Sequence, residues 1–143
     1  MSESKLQSGM VRKFSELFPN KRGQLFHVSN ERNNAMQAMK AKSIGIVNGV
    51  SDLIYFELNG LDSSEKGTFI VAIEVKELGS RHERSRIEQQ VGWGELLESL
   101  GGVWRLCRTV EEGISCTQLD FKGLTTSDVR RMLNEQKTKT IKF

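Results

Sequence analysis

Phe69-Ile70-Val71-Ala72-Ile73-Glu74-Val75-Lys76 is the stretch that decides the fold. Five apolar residues in succession leave no polar face, so the segment reads as a central strand covered on both sides. The pattern breaks at Glu74-Val75-Lys76. Alternate side chains of a strand share a face, so Glu74 and Lys76 point one way and Val75 the other. Charge at the end of a buried strand is costly unless something there requires it.

Asp52-Leu53-Ile54-Tyr55-Phe56-Glu57-Leu58 reads as the preceding strand, joined to the first through a polar connection with two glycines and two serines, Asn59 to Gly67. In an antiparallel hairpin the start of one strand lies beside the end of the other, so Asp52 and Glu74 are expected to meet. Two such carboxylates repel unless a cation sits between them. Mg²⁺ (or Mn²⁺) suits that position, because it takes hard oxygen ligands and keeps waters for a phosphate. The ion would polarise a phosphoryl oxygen and activate a coordinated water, which Lys76 would orient. An E-x-K triplet alone is common, and its plain reading is a Glu–Lys pair on an exposed strand end.

A third feature lies further on. Ser85 to Leu100 reads as a helix whose inner stripe is Ile87, Val91, Trp93, Leu97 and Leu100. At about 100° per residue Gln90 points into that stripe, while Glu88 and Glu95 point away. Gly92 and Gly94 weaken the helix, which is easier to explain if something approaches it closely.

The rest of the chain frames these three pieces. Ser2 to Phe18 is expected to be a helix, with Leu6, Met10, Phe14 and Leu17 on one face and Glu3 and Gln7 beside them. An acid on that face needs a partner inside. Leu25 to Val28 is a short strand, and Glu31 to Ser43 a helix capped by Ser29 or Asn30 and closed by Gly45. Ala35, Ala38 and Met39 form its inner stripe. Glu77 to Arg84 reads as a loop, Val103 to Arg108 as a strand, and Thr125 to Asn134 as a helix capped by Thr126 or Ser127. Strands alternating with helices around a central hairpin predict an α/β domain of three layers, a mixed β-sheet flanked by helices.

The 143 residues suit one domain, 37% apolar and 27% charged. No apolar run approaches the roughly 20 residues a bilayer needs, and the polar N-terminus does not read as a signal peptide. An intracellular protein is expected. Cys107 and Cys116 offer no disulfide framework and read as two reduced thiols near a buried strand; with His27 and His82 they lack tight zinc-ligand spacing. Net charge is +3. Its distribution is more informative: Lys21 and Arg22 are adjacent, Arg81, Arg84 and Arg86 cluster, and Arg130, Arg131, Lys137, Lys139 and Lys142 load the C-terminal part. Basic clusters flanking a candidate site point to a polyanion.

Four blocks then carry a family resemblance. They are Leu25-Phe26-His27-Val28-Ser29-Asn30, Gly49-Val50-Ser51-Asp52-Leu53, Ile73-Glu74-Val75-Lys76, and Glu88-Gln89-Gln90 followed by Trp93, Leu97 and Gly101-Gly102. In this order the chain resembles the VRR-NUC family of the PD-(D/E)xK nucleases over about residues 3–108, with a C-terminal helical extension at about 125–137. The resemblance implies a restriction-endonuclease-like core and metal-dependent phosphodiester hydrolysis. Asp52, Glu74 and the Val75 carbonyl would hold the metal, with Glu3 as a further carboxylate from the first helix. Lys76 and Gln90 would complete the catalytic set, and Gln89 is the alternative to Gln90. DNA contacts would fall to His27, Asn30 and Arg32, beside Arg81, Arg84 and Arg86. Ser51 stands where the family usually has Pro, which leaves the extended conformation open without enforcing it.

The resemblance also implies branched DNA as substrate, a homodimer resembling Holliday junction resolvases, and a bacterial or phage source. The leading expectation is therefore a structure-selective DNA endonuclease. The alternatives are a non-catalytic DNA-binding protein of the same fold and a monomeric flap nuclease or exonuclease. A hydrolase of small phosphorylated molecules is disfavoured, because no glycine-rich phosphate loop is present.

Overall fold

Strand β3 (Gly67–Val75) runs through the middle of a four-stranded mixed sheet ordered β1-β2-β3-β5. Strands β1 (Leu25–His27) and β2 (Leu53–Asn59) extend it antiparallel on one side, and β5 (Val103–Cys107) lies parallel on the other. The apolar run predicted this position, and Val71, Ala72, Ile73 and Val75 are all fully buried. The computed structural model describes residues 2–29, 39–40, 47–59 and 67–143. The expected helix Glu31 to Ser43 therefore lies outside the described residues apart from Met39 and Lys40, which are helical. Its caps at Asn30 and Gly45, the candidate DNA contacts Asn30 and Arg32, and residues 60–66 of the hairpin connection lie outside them too.

The two-residue alternation of the strands divides the core. Leu53, Tyr55, Val71, Ile73 and Val75 face helix α1 (Glu3–Leu17), which buries Leu6, Met10 and Phe14 against them. Ile54, Ala72, Trp104 and Leu106 face the other way, toward Ile87 and Val91 of α2 (Arg84–Ser99) and Val129 and Leu133 of α4 (Thr126–Glu135). The result is an α/β arrangement, a mixed sheet with helices on both faces.

Several local expectations need correction. Residues 109–124, unassigned from the sequence, contain helix α3 (Val110–Thr117), which packs on α1 through Ile114 and Cys116. The Thr109 hydroxyl caps it, accepting the Glu112 amide at 3.1 Å. Within the expected loop Glu77 to Arg84, residues Arg81–Glu83 form β4, paired antiparallel with β6 (Thr140–Lys142). Neither three-residue strand has enough alternation to be seen locally, so the pairing is a tertiary effect. Helix α4 is capped by Thr125, not Thr126 or Ser127, in a reciprocal box with Asp128. The C-terminal extension thus adds a strand to its helix.

Two apolar stripes end sooner than their periodicity predicts. Leu17 is exposed at the end of α1, and Leu100 is 78% exposed just beyond α2. Cys107 and Cys116 are buried free thiols with Sγ atoms 3.7 Å apart, one on β5 and one on α3.

Candidate active site

The antiparallel register pairs Leu53 with Ile73, which brings Asp52, one residue before β2, beside the end of β3. Its Oδ2 accepts the Val75 amide at 2.8 Å, so the strand's own backbone fixes the carboxylate. The backbone carbonyl of Asp52 is also occupied. It accepts the Val28 amide at 2.9 Å and the His27 imidazole Nδ1 at 3.1 Å.

By alternation Glu74 falls on the same face as Ala72, the face covered by α2. It is 1% exposed, and its Oε1 lies 3.3 Å from the Lys76 ammonium. Its Oε2 is buried without a partner. Burial above all, and then the neighbouring Asp52 carboxylate, push the Glu74 carboxyl well above its ordinary range, against the pull of Lys76. Lys76 is 2% exposed, and its Nζ also lies 3.6 Å from Glu3 Oε1. Glu3 on α1 thus pairs with Lys76, a partner the sequence did not name. Its link to the site runs through that ammonium.

Gln90 projects from α2 into a cavity of about 330 Å³, lined among others by Gly49, Asp52, Glu83, Arg86 and Gln89. Gln90 is buried and its Oε1 has no partner, whereas Gln89 is exposed. The helical stripe separates the two as expected. Glu88 and Glu95 are directed outward and pair with Arg84 and Arg130. Gly49 lets the preceding loop close this cavity. It has φ +88°, and a Cβ there would lie 2.7 Å from the Gln89 carbonyl oxygen. Residues 48–50 and Glu83 line the cavity without having been expected at the site, although Gly49 and Val50 stand in one of the blocks that carry the resemblance.

The arginines separate in role. Arg86 lines the cavity. Arg84 instead donates to the carbonyls of Leu133, Gln136 and Thr138, tying α2 to the end of α4, so its guanidinium is committed within the fold. Arg81 lies on β4, 3.4 Å from Thr140 Oγ1. His82, between them, donates to or accepts from Ser80 Oγ at 2.8 Å and packs against Phe143. Burial, Lys76 and Arg86 lower its pKa to about 4, with Asp52 opposing.

No group of three or more His, Cys, Asp or Glu side chains that could hold a metal occurs among the described residues. A two-carboxylate site remains compatible with Mg²⁺, which is commonly held by one or two carboxylates with water and substrate oxygens completing the shell. Gln90 Oε1 is a buried acceptor without a partner, and the Glu74 carboxyl beside Asp52 offers a further acceptor oxygen where a cation takes the place of its proton, the atom type a hard cation or its waters require. The residues present fit such an ion.

Comparison of the chain with protein-family models, with curated proteins and with solved structures finds no match. No helix among the described residues is long and apolar enough to cross a membrane.

Proposed function

We propose that this protein is a divalent-metal-dependent deoxyribonuclease with a restriction-endonuclease-like core of the PD-(D/E)xK kind. The observation that carries the reading is the meeting of Asp52 and Glu74 from adjacent strands, the Glu74 carboxyl fully buried between the Asp52 carboxylate and the Lys76 ammonium. A mere strand-end ion pair would have no reason to be buried and incompletely satisfied. The VRR-NUC resemblance rests on the residue blocks alone.

In this reading Asp52, Glu74 and the Val75 carbonyl hold Mg²⁺ or Mn²⁺, which when bound supplies Lewis acidity and an activated water. The Val75 amide holds Asp52 in one orientation. Glu74 and Glu3 hold the Lys76 ammonium, which stabilises negative charge growing on the scissile phosphate. Gln90 positions a water or a phosphate oxygen from the α2 side. Arg86, in the same cavity, takes a neighbouring phosphate. DNA is the proposed substrate and a homodimer the proposed assembly, since cutting a branched substrate on two strands needs two sites.

One observation favours a second reading, a DNA-binding protein with an inert site. Lys76 already neutralises Glu74 internally, so the acid does not strictly require a metal. Incubating flaps, four-way junctions and linear duplexes with Mg²⁺ or Mn²⁺ separates the two. Cleavage by the wild type, absent in Glu74→Ala with binding retained, is the expected result. Binding without cleavage of any substrate, in either metal, overturns the nuclease reading, and light scattering decides the dimer.

A further inference from the structure

A second cavity, of about 500 Å³, opens on the α1 side of the same acid. Ser4, Gln7, Ser8 and Arg12 of α1 form one wall, and His27 of β1 with Leu53 of β2 form the other. Leu53 directly follows Asp52, so the two cavities flank that residue. The walls are tied to the site by covalent and hydrogen-bonded links: His27 Nδ1 donates to the Asp52 carbonyl, and α1 also carries Glu3, which touches Lys76.

The lining contains no carboxylate. It offers two hydroxyls, a carboxamide and the Arg12 guanidinium, all able to donate to phosphate oxygens. Arg12 is exposed and makes no ion pair or hydrogen bond within the described residues. That sets it apart from Arg84, Arg130 and Arg131, whose guanidiniums are engaged by carbonyls or carboxylates. A guanidinium left free in an acid-free groove whose wall residue Leu53 adjoins Asp52 has the chemistry of a phosphate-backbone contact.

We infer that this groove carries the nucleic-acid strand on the side of the scissile phosphate away from Arg86, with Arg12 as its cationic anchor. The inference rests on the nuclease reading for its substrate, but binding and cleavage are read separately. Arg12 is nine residues along α1 from Glu3, about 13.5 Å at 1.5 Å per residue. It therefore contacts a phosphate remote from the acids and contributes to binding without entering the chemistry.

The test is fluorescence anisotropy of a labelled DNA with duplex and single-stranded arms, titrated with the full chain in the absence of divalent metal at several salt concentrations. Arg12→Ala is expected to weaken binding about five- to tenfold and to reduce the slope of log K against log salt by about 0.7 to 0.9, one phosphate contact. Arg12→Lys should restore the slope. Thermal melting should be unchanged, because Arg12 holds nothing in the fold. Wild-type DNA binding with an Arg12→Ala affinity within twofold and an unchanged slope overturns the groove assignment and leaves the nuclease reading intact. Loss of cleavage activity in the wild type, with the slope effect present, overturns only the nuclease reading. A wild type without measurable DNA affinity overturns both.

Discussion

Two glycines, two residues apart on α2, should respond to the same substitution with opposite sign. At Gly92 a Cβ would meet nothing within 4 Å, whereas at Gly94 it would lie 2.6 Å from Trp104 Cγ and 2.8 Å from Cδ1 and Cδ2. Trp104 is fully buried on β5 and has no room to retreat. Replacing glycine by alanine inside a helix contributes about 0.8–1 kcal/mol. Gly92→Ala should gain most of that and raise Tm by about 2–4 °C for a chain near this size. At Gly94 the same gain is opposed by overpacking, which costs about 1–3 kcal/mol, and by more if the helix must move off the sheet. The 2.6 Å approach places the cost in the upper part of that range, so Gly94→Ala should lose about 1–2 kcal/mol net. Urea melts of both variants, with Trp104→Phe as a shared background, measure the coupling, and the penalty at Gly94 should shrink beside the smaller ring. A Gly94→Ala protein as stable as the wild type would refute the claim that Trp104 fixes the approach of α2. The effect matters for the site because α2 carries Gln90 and Arg86 one turn or two earlier.

Three further outcomes are expected. Lys76→Met should lower the cleavage rate by about 10²- to 10³-fold, the range for losing one preorganised group that stabilises transition-state charge, while Mg²⁺ still raises Tm; loss of that thermal shift with turnover unchanged would contradict the assigned role. Thr125→Ala removes half of the reciprocal cap on α4 and should cost about 1 kcal/mol in chemical denaturation, an effect within 0.2 kcal/mol of zero counting against the cap. His82, with its pKa lowered to about 4 from an ordinary 6.5, is kept neutral by the fold. The unfolded chain binds its proton first as pH falls, so the His82 contribution to stability is present above about 6.5 and lost toward 4. Across that window the wild type should lose stability more steeply than His82→Asn, and parallel pH profiles would exclude the effect.

The site was more legible than the fold around it. Asp52, Glu74 and Lys76 could be placed together because strand alternation and hairpin pairing are near-range rules, acting over a connection of a few residues. The inward direction of Gln90 followed from helical angle, while its role came only from the resemblance. Glu3 was recognisable as an acid on an apolar stripe, but its partner could only be found once α1 was seen to cross the end of β3. Helix α3 left one local sign, the Thr109-x-x-Glu112 spacing of a capping box, in a segment otherwise read as unassigned. The pairing of β4 with β6 left none, since it joins residues about sixty positions apart through three-residue strands whose stability comes from Ile141, His82 and Phe143 packing together. Arg84 shows the complementary limit. Its place in a basic cluster gave no hint that its donors end on carbonyls at and just beyond the end of α4.

The separation of Asp52 and Glu74 along the chain has a kinetic consequence. They belong to one antiparallel hairpin, whose contacts are short-range and are expected to form early in folding. Until β5 docks in parallel on β3 and α2 lies across that face, water still solvates both carboxylates. We expect those later elements to seal the face on the native side of the folding barrier, so the part of the repulsion that Lys76 does not offset is felt only there. A divalent cation that relieves it should therefore leave the refolding rate nearly unchanged and slow unfolding, lengthening the lifetime of the native state.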